Sequence, residues 1–186
     1  MAKAVHISYM VFNSQVGALG LIWTAKGELW KIVRIVLPNE NIKAVIRSYH
    51  RNAVKQNSRG IDKIRRQILR FLSGEPVEFS LDILDWSQVN DFQKKVLLLE
   101  SRIPRGYIST YGRLAKKAGV PKAARAVGQA LAHNPYPIII PCHRTVKSDG
   151  SLGGYRGGAE LKKRLLKTEG RNFDISGKVL MDKIWY

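Results

Sequence analysis

The stretch PIIIPCHRTVKSDGSLGGYRGG, residues 137–158, contains the single cysteine of the 186-residue chain. Cys142 follows three isoleucines and a proline, and His143 comes directly after it. A lone cysteine can be a buried apolar side chain, a metal ligand or a nucleophile, and its thiolate is the form that attacks. A nearby histidine can take the thiol proton. All three interpretations remain open on this stretch alone.

A Cys–His–acid set needs a partner for the imidazole. Neighbouring side chains on an extended segment point in opposite directions, so His143 needs a turn or a bridging water to reach the sulfur. Glu169 is a candidate for the acid because few acidic residues lie nearby. One cysteine excludes an internal disulfide or a cysteine-based zinc site, and the four histidines show no metal-ligand pairing, so we expect neither metal nor cofactor.

The glycine-rich part of this stretch, GSLGGYRGG, surrounds Tyr155. Such a loop can present backbone N–H groups to a ligand while the tyrosine ring lines a pocket. A flexible surface turn has the same composition. The pattern is not a P-loop, which needs Gly-Lys-Ser/Thr at the start of a helix.

Upstream of this stretch, two short helices separated by a Gly-containing turn are predicted by STYGRLAKKAG and VPKAARAVGQALAHN. This arrangement is typical of a helix-turn-helix. The second helix is rich in small residues: Ala123, Ala124, Ala126, Gly128, Ala130 and Ala132. A small-residue face allows close approach either to a neighbouring helix in the core or to a DNA groove. Arg125, a long cation in the middle of this face, favours the second interpretation.

The charge is strongly basic, with 32 Lys and Arg against 14 Asp and Glu. Residues 1–85 hold 13 basic and 7 acidic residues, net +6, whereas residues 86–186 hold 19 and 7, net +12. This excess favours a polyanionic partner, nucleic acid ahead of a membrane. The alternative is that many of the lysines only solvate helix faces.

Hydrophobic patterning predicts an α+β protein. A small antiparallel sheet with a turn at Lys26–Gly27 is predicted by the stretches AVHISYMVF, ALGLIWTAKG and ELWKIVRIVLP. The pattern then predicts two amphipathic helices, and the alternation in VEFSLDILDW predicts a further strand. Asn90 predicts the N-cap of a helix running to Pro104, and YPIIIPCH predicts a buried strand or extended segment. We place an α/β domain at residues 1–87, a mostly helical domain with the helix-turn-helix at 88–170, and a tail at 171–186.

The N-terminus has neither a long apolar core nor a small-residue cleavage site, and no apolar run approaches the roughly 20 residues that span a bilayer. We therefore expect a soluble cytoplasmic protein without a membrane partner.

Taken together, these residues resemble the O6-alkylguanine-DNA alkyltransferases. The resemblance runs from about residue 90 to residue 170 and rests on IPRGYISTYGRLAKKAG, PKAARAVGQALAHNPYPIIIPCHR, GSLGGYRGG and LLKTEG. The Pro-Cys-His-Arg tetrapeptide, with ARAVG and NPYP upstream, is its most specific part. Some members carry a zinc in the N-terminal domain, for which this chain lacks the cysteines.

The resemblance implies a suicide repair reaction in which Cys142 accepts the alkyl group and acts once. It implies that His143 takes the thiol proton through a water and that Glu169 orients the His143 imidazole. It also implies that Asn134 braces the turn beneath the site, and that Tyr111 donates a proton toward the departing guanine.

On the DNA side, the resemblance implies a recognition helix in the minor groove, with Arg125 entering the base stack as the target nucleotide is flipped out. The residues expected at the DNA are Lys122, Ala123, Ala124, Arg125, Ala126, Gly128 and Thr110. Those expected around the base pocket are Tyr155, Arg156, Thr145, Leu131 and Pro137. The implied partner is double-stranded DNA containing O6-alkylguanine, with O4-alkylthymine left open as a further substrate, bound by a monomer. Such a protein would associate with the nucleoid, or with the nucleus in a eukaryote.

Three other functions compete with this one. A non-catalytic alkylated-DNA sensor has another residue, usually tryptophan, at the cysteine position, so Cys142 argues against it. A helix-turn-helix regulator leaves PCHR unexplained. A cysteine hydrolase has no need for the basic C-terminal half.

Overall fold

Three strands near the N-terminus form an antiparallel meander in this computed structural model, which describes residues 6–26, 29–38, 41–49 and 51–186. The strands are β1 (His6–Ser14), β2 (Gly17–Lys26) and β3 (Leu29–Val36). Their β-branched and aromatic residues suit a half-buried pleated surface. The predicted meander is confirmed, while Gly27 of the predicted Lys26–Gly27 turn lies outside the described residues.

Two helices and a short strand complete this part of the chain: α1 (Ile42–Tyr49), β4 (Val54–Lys55) and α2 (Arg59–Leu72). β4 runs parallel to β1 and gives the sheet order β3-β2-β1-β4. Apolar residues of the sheet and α1 share a buried cluster of Ile22, Val33, Val36, Ile42 and Ile46.

Residues 77–86, predicted as a strand, instead contain a 3₁₀ turn at Leu81–Ile83. The Ser80 hydroxyl accepts a hydrogen bond from the backbone N–H of Asp82, which stabilises the turn. Only Leu84 makes a strand-like bridge, to Ile32.

The chain folds into two compact units, Met1–Gln88 and Val89–Tyr186. The second unit contains α3 (Asp91–Glu100), α4 (Tyr111–Lys117), α5 (Ala124–Ala132) and α6 (Ala159–Thr168), with two-residue strands β5 (Ser109–Thr110) and β6 (Thr145–Val146) paired in parallel. Asn90 caps α3 as predicted, since its side chain accepts from the backbone N–H of Gln93 at 2.8 Å. The predicted α+β class is confirmed.

The segment after Arg171 packs into this second unit. The backbone N–H of Trp185 donates to the Ile108 carbonyl at 2.7 Å, and the Tyr186 hydroxyl donates to the Leu99 carbonyl at 2.9 Å. Val179 joins Ile108, Val146 and Leu166 in a buried cluster. The residues separated as a tail in the sequence therefore supply part of the unit's core.

The helices are short. α2, with 14 residues, is the longest α-helix in the described ranges. None of the helices there combines the length and apolar composition that crossing a membrane requires.

Candidate active site

Cys142 begins a 3₁₀ turn, Cys142–Arg144, directly after a tight reversal of the chain. Pro137 and Ile140 bridge each other across the reversal, and Ile138 has a φ of 77°. A positive φ is rare for a branched residue and persists only where the surroundings hold it. The predicted strand or extended segment is wrong here, and the turn removes the reason to expect Cys142 and His143 on opposite sides.

Asn134 braces this reversal from inside. Its side-chain nitrogen donates to the Ile140 carbonyl at 3.0 Å and to Cys142 Sγ at 3.1 Å. Its side-chain oxygen accepts from the backbone N–H of Tyr136 at 2.9 Å. One buried amide therefore fixes both sides of the turn and contacts the sulfur.

His143, Arg144 and Glu169 form a buried network beside the thiol. His143 Nε2 donates to Glu169 Oε1 at 3.0 Å, and Arg144 donates to both Glu169 oxygens at 2.7 and 2.8 Å. Arg144 Nη1 also donates to the Ile103 carbonyl at 2.6 Å. Burial acts to raise the pKa of Glu169, but the His143 and Arg144 donors outweigh burial and hold this pKa at about 2. Glu169 is therefore ionised at neutral pH.

The thiol and the imidazole are both neutral at neutral pH. Cys142 is 7% exposed, and its burial raises the thiol pKa to about 11 against the opposing effect of the Asn134 hydrogen bond. Burial also lowers the pKa of His143, and Glu169 offsets only part of that effect. A neutral imidazole near a neutral thiol is suited to act as its base.

Tyr111, the first residue of α4, faces the glycine-rich loop. A Cβ added to Gly153 would lie 2.7 Å from the Tyr111 hydroxyl oxygen, and Gly153 has a φ of +69°. The loop backbone therefore approaches the phenol more closely than any other residue would allow. Burial raises the pKa of Tyr111 to about 12, so the phenol keeps its proton at neutral pH.

Comparison with known proteins shows which family the chain belongs to. A family model described as the DNA-binding domain of 6-O-methylguanine DNA methyltransferase matches residues 91–171. A methylated-DNA–protein-cysteine methyltransferase of Methanosarcina acetivorans is 34% identical over 162 residues, covering 87% of this chain and 97% of the relative. The chain belongs to this family.

Two further matches extend the comparison. A methyltransferase of the same description from Methanothermobacter thermautotrophicus is 46% identical over 110 residues, which is 59% of this chain but only 61% of that relative, less than two thirds of its length. The crystal structure of Mycobacterium tuberculosis OGT in complex with DNA matches with a TM-score of 0.71 and 32% identity, covering 87% of this chain and 92% of that one.

The residues expected around a base pocket occupy different environments. The Tyr155 hydroxyl is buried without a hydrogen-bond partner among the described residues, whereas exposed Arg156 donates to the Ala132 carbonyl at 3.3 Å. Leu131 and Pro137 are buried. Thr145 is fully buried, and its hydroxyl donates to Glu100.

The residues expected at DNA lie mostly on the outer face of α5. Lys122, Arg125 and Ala126 are exposed, and Ala123, Ala124 and Gly128 are partly exposed. The inner face buries Val127, Ala130 and Leu131. Thr110 differs from the others, since it is 6% exposed and its side chain caps α4 by accepting from the backbone N–H of Arg113.

A groove of about 390 Å³ lies between the start of α3 and the side of α5 that carries Ala126, Gln129 and Ala130. Its lining includes Asn90, Phe92, Gln93, Gln129 and His133. Gln93, which lines the groove, donates to the Ala130 carbonyl at 3.0 Å. This joins α3 to the small-residue helix.

Three buried charged residues close to the Cys142–Arg144 turn were absent from the sequence-predicted site: Glu100, Arg144 and Lys162. Arg144 could have been included because it belongs to the PCHR motif. Glu100 directly follows the apolar run VLLL at the end of α3, and Lys162 lies three residues before Leu165 on the buried face of α6. Across the described ranges, no group of three or more His, Cys, Asp or Glu could hold a metal ion.

Proposed function

We propose that this protein repairs DNA by transferring the alkyl group of O6-alkylguanine to its own Cys142, once per molecule. The observation that carries the proposal is a single buried cysteine, hydrogen-bonded by Asn134 and followed in the same turn by a histidine bound to an ionised glutamate. In this proposal residues 88–170 are the alkyltransferase and DNA-binding domain.

The transfer is a direct displacement at the alkyl carbon. The sulfur forms a bond to the methyl carbon while the carbon–O6 bond breaks, and its electron pair stays with guanine. The thioether formed on Cys142 has no leaving group comparable to guanine, so the reaction stops after one turnover.

His143 supplies the base. Because Nε2 donates its proton to Glu169, the lone pair of the neutral ring lies on Nδ1, which accepts the thiol proton through a bridging water. Arg144 keeps Glu169 ionised, so the carboxylate stabilises the imidazolium that forms. A thiol with a pKa of about 11 needs this help at neutral pH.

Tyr111 supplies the proton that the departing guanine needs. Its pKa of about 12 keeps the hydroxyl protonated at neutral pH, and the close backbone of Gly153 fixes its position. The tyrosine donates toward a ring nitrogen of guanine as negative charge develops there. The proton that His143 takes from the thiol replaces the proton that Tyr111 gives to guanine, so the thiol and the alkylated guanine become the thioether and guanine.

The DNA interface is the outer face of α5. Its small residues allow the helix backbone to lie close to the minor groove, and exposed Arg125 fills the space that the flipped nucleotide leaves. The flipped base enters a pocket beside Tyr155. The net charge of +12 in residues 86–186 supports contacts to phosphates, which are insensitive to base sequence. One copy of the chain, acting where the cell holds its DNA, is sufficient for the reaction.

Mass spectrometry of the intact protein tests the proposal. The protein is mixed with excess duplex DNA containing one O6-methylguanine, with an unmodified duplex and Cys142→Ala as controls. We expect a mass gain of one methyl group, located on Cys142 by peptide mapping, that stops at one and is absent from both controls. Lesion-dependent binding without a mass gain would overturn the proposal in favour of a damage sensor.

A further inference from the structure

A second pair of buried charges lies near the nucleophile. Glu100 ends α3 and Lys162 lies in α6, and both have 0% exposure. Neither belongs to the His143–Glu169–Arg144 network. Fully buried acidic and basic side chains are rare because removing a charge from water is costly.

Thr145 connects the two charges. Its hydroxyl donates to Glu100 Oε2 at 2.6 Å, and its backbone carbonyl accepts from Lys162 Nζ at 2.6 Å. Thr145 directly follows the Cys142–Arg144 turn, in the strand that pairs with Ser109 and Thr110 just before Tyr111. The pair therefore holds the backbone that carries both the nucleophile and the tyrosine.

The arrangement is poorly explained by stability alone. Glu100 Oε1 is buried without a hydrogen-bond partner among the described residues, and the Ser109 hydroxyl is in the same condition. An unmatched buried carboxylate oxygen is destabilising, and an apolar side chain at this position would avoid that cost. A role in the chemistry of the site explains why an acid is there.

We propose that Glu100 is a positioning residue of the alkyl transfer, which holds Thr145 directly after the turn that carries Cys142 and acts on the thiol through its charge. This inference rests on the proposed function, in which Cys142 is the nucleophile. Lys162 is its counterpart of opposite sign, 6.0 Å from the centre of the Tyr111 ring.

The signs of the interactions follow from the charges around Glu100. The ionisable groups that interact with it are Lys162, Arg144, Cys142, Tyr111 and Tyr186. An ionised Glu100 raises the pKa of both Cys142 and Tyr111, while the Lys162 ammonium lowers the pKa of Cys142.

Both charges change near neutral pH. Burial raises the pKa of Glu100 to about 7, and burial lowers the pKa of Lys162 to about 8. As the pH rises through this range, Glu100 gains its negative charge and Lys162 loses its positive charge, and each change makes the thiolate harder to form. The thiolate fraction therefore rises by less than the roughly tenfold per pH unit of an isolated thiol.

Titration of the single thiol tests the inference without DNA. The rate of Cys142 alkylation by iodoacetamide is measured from about pH 5 to about pH 10. Glu100→Gln keeps an acceptor for Thr145 and removes the charge, Glu100→Leu removes both, and Glu160→Gln removes an exposed charge from α6 as the matched control. Circular dichroism and urea unfolding establish that each variant is folded.

We expect Glu100→Gln to lower the apparent pKa of Cys142 by about one unit and to raise the alkylation rate at pH 8 about tenfold. The control should match the parent protein. Lys162→Gln should shift the thiol pKa in the opposite direction, which provides a second readout if Glu100→Gln does not fold. A purely structural role predicts unchanged pH profiles for Glu100→Gln and Lys162→Gln, and that result would overturn the inference.

The same variants are then assayed for methyl transfer from duplex DNA across this pH range. A parent protein that takes no methyl group refutes the proposed function, whatever the thiol titration gives. If the parent protein is active and Glu100→Gln has the same pH profiles as the parent for both alkylation and transfer, only the role of Glu100 is refuted. A steeper rise in transfer rate with pH in Glu100→Gln supports both.

Discussion

The side-chain nitrogen of Asn134 lies 3.1 Å from Cys142 Sγ and 3.0 Å from the Ile140 carbonyl oxygen. A single amide group therefore sets the position of the sulfur relative to the chain reversal that presents it. The same contact acts to lower the pKa of the thiol against the larger effect of burial. This one side chain therefore contributes both to the structure of the site and to the ionisation of its thiol.

Asn134→Asp should slow methyl transfer at neutral pH by a factor of roughly 10 to 100, since a hydrogen bond to a charged group contributes about 1.5–3 kcal/mol. The aspartate has the shape of asparagine but cannot donate to the sulfur, and its negative charge opposes the thiolate. Single-turnover rates measured by quenched flow check this. Asn172→Asp, at an exposed position, is the matched control. Equal rates for Asn134→Asp and the parent protein would contradict the role of the amide.

Gly153→Ala should slow transfer at least about tenfold by displacing the Tyr111 hydroxyl, because a Cβ at this position would lie 2.7 Å from that oxygen and a φ of +69° disfavours alanine. Gly154→Ala is the natural control, since its Cβ would meet nothing within 4 Å. The rate of methyl transfer is measured for both variants beside their thermal stability. Equal slowing by the two substitutions would show that loop flexibility matters, rather than the contact with Tyr111.

Glu169→Gln should destabilise the protein by about 3–5 kcal/mol at pH 7, because it leaves Arg144 buried without its anion. The pKa of Glu169 falls from an ordinary 4.5 to about 2 on folding. Its ionised form therefore stabilises the fold fully above about pH 4.5, and this stabilisation is lost as the pH falls toward 2. Urea unfolding at several pH values, with exposed Glu160→Gln as control, should show the difference from the parent protein shrinking across that range. A difference that is constant with pH would contradict the ion pair.

Arg125→Ala should slow repair of O6-methylguanine in duplex DNA by roughly tenfold or more, while reaction with the free base O6-methylguanine stays unchanged. Extruding the nucleotide from the duplex loses a few kcal/mol of base stacking, which Arg125 helps to offset. The free base is not stacked in a duplex, so its reaction does not need Arg125. Arg164→Ala removes the same charge from an exposed position of α6 and is the matched control. Equal slowing on duplex and free base would place Arg125 in the chemistry instead of in flipping.

The elements with strong local patterns could be predicted, and the short ones could not. β1 alternates in burial along most of its nine residues, and the Asn90 cap with Gln93 marks the start of α3. β4, β5 and β6 have two residues each, too few for a periodic pattern. The isoleucine run before Cys142 has strand-like composition, yet a left-handed Ile138 turns it, and no local cue identifies a backbone held by distant packing.

The sequence by itself determined the single thiol, the Pro-Cys-His-Arg order, the small-residue helix around Arg125 and the basic C-terminal half. Only the tertiary structure decided which charges meet: Glu169 with Arg144, 25 residues away, and Glu100 with Lys162 through Thr145. Partners of buried charges are chosen by the path of the chain between elements, and burial then decides their ionisation. The partner of a buried charge and its state of ionisation both depend on surrounding atoms that are distant in the sequence. They therefore follow from the fold and not from the local order of residues.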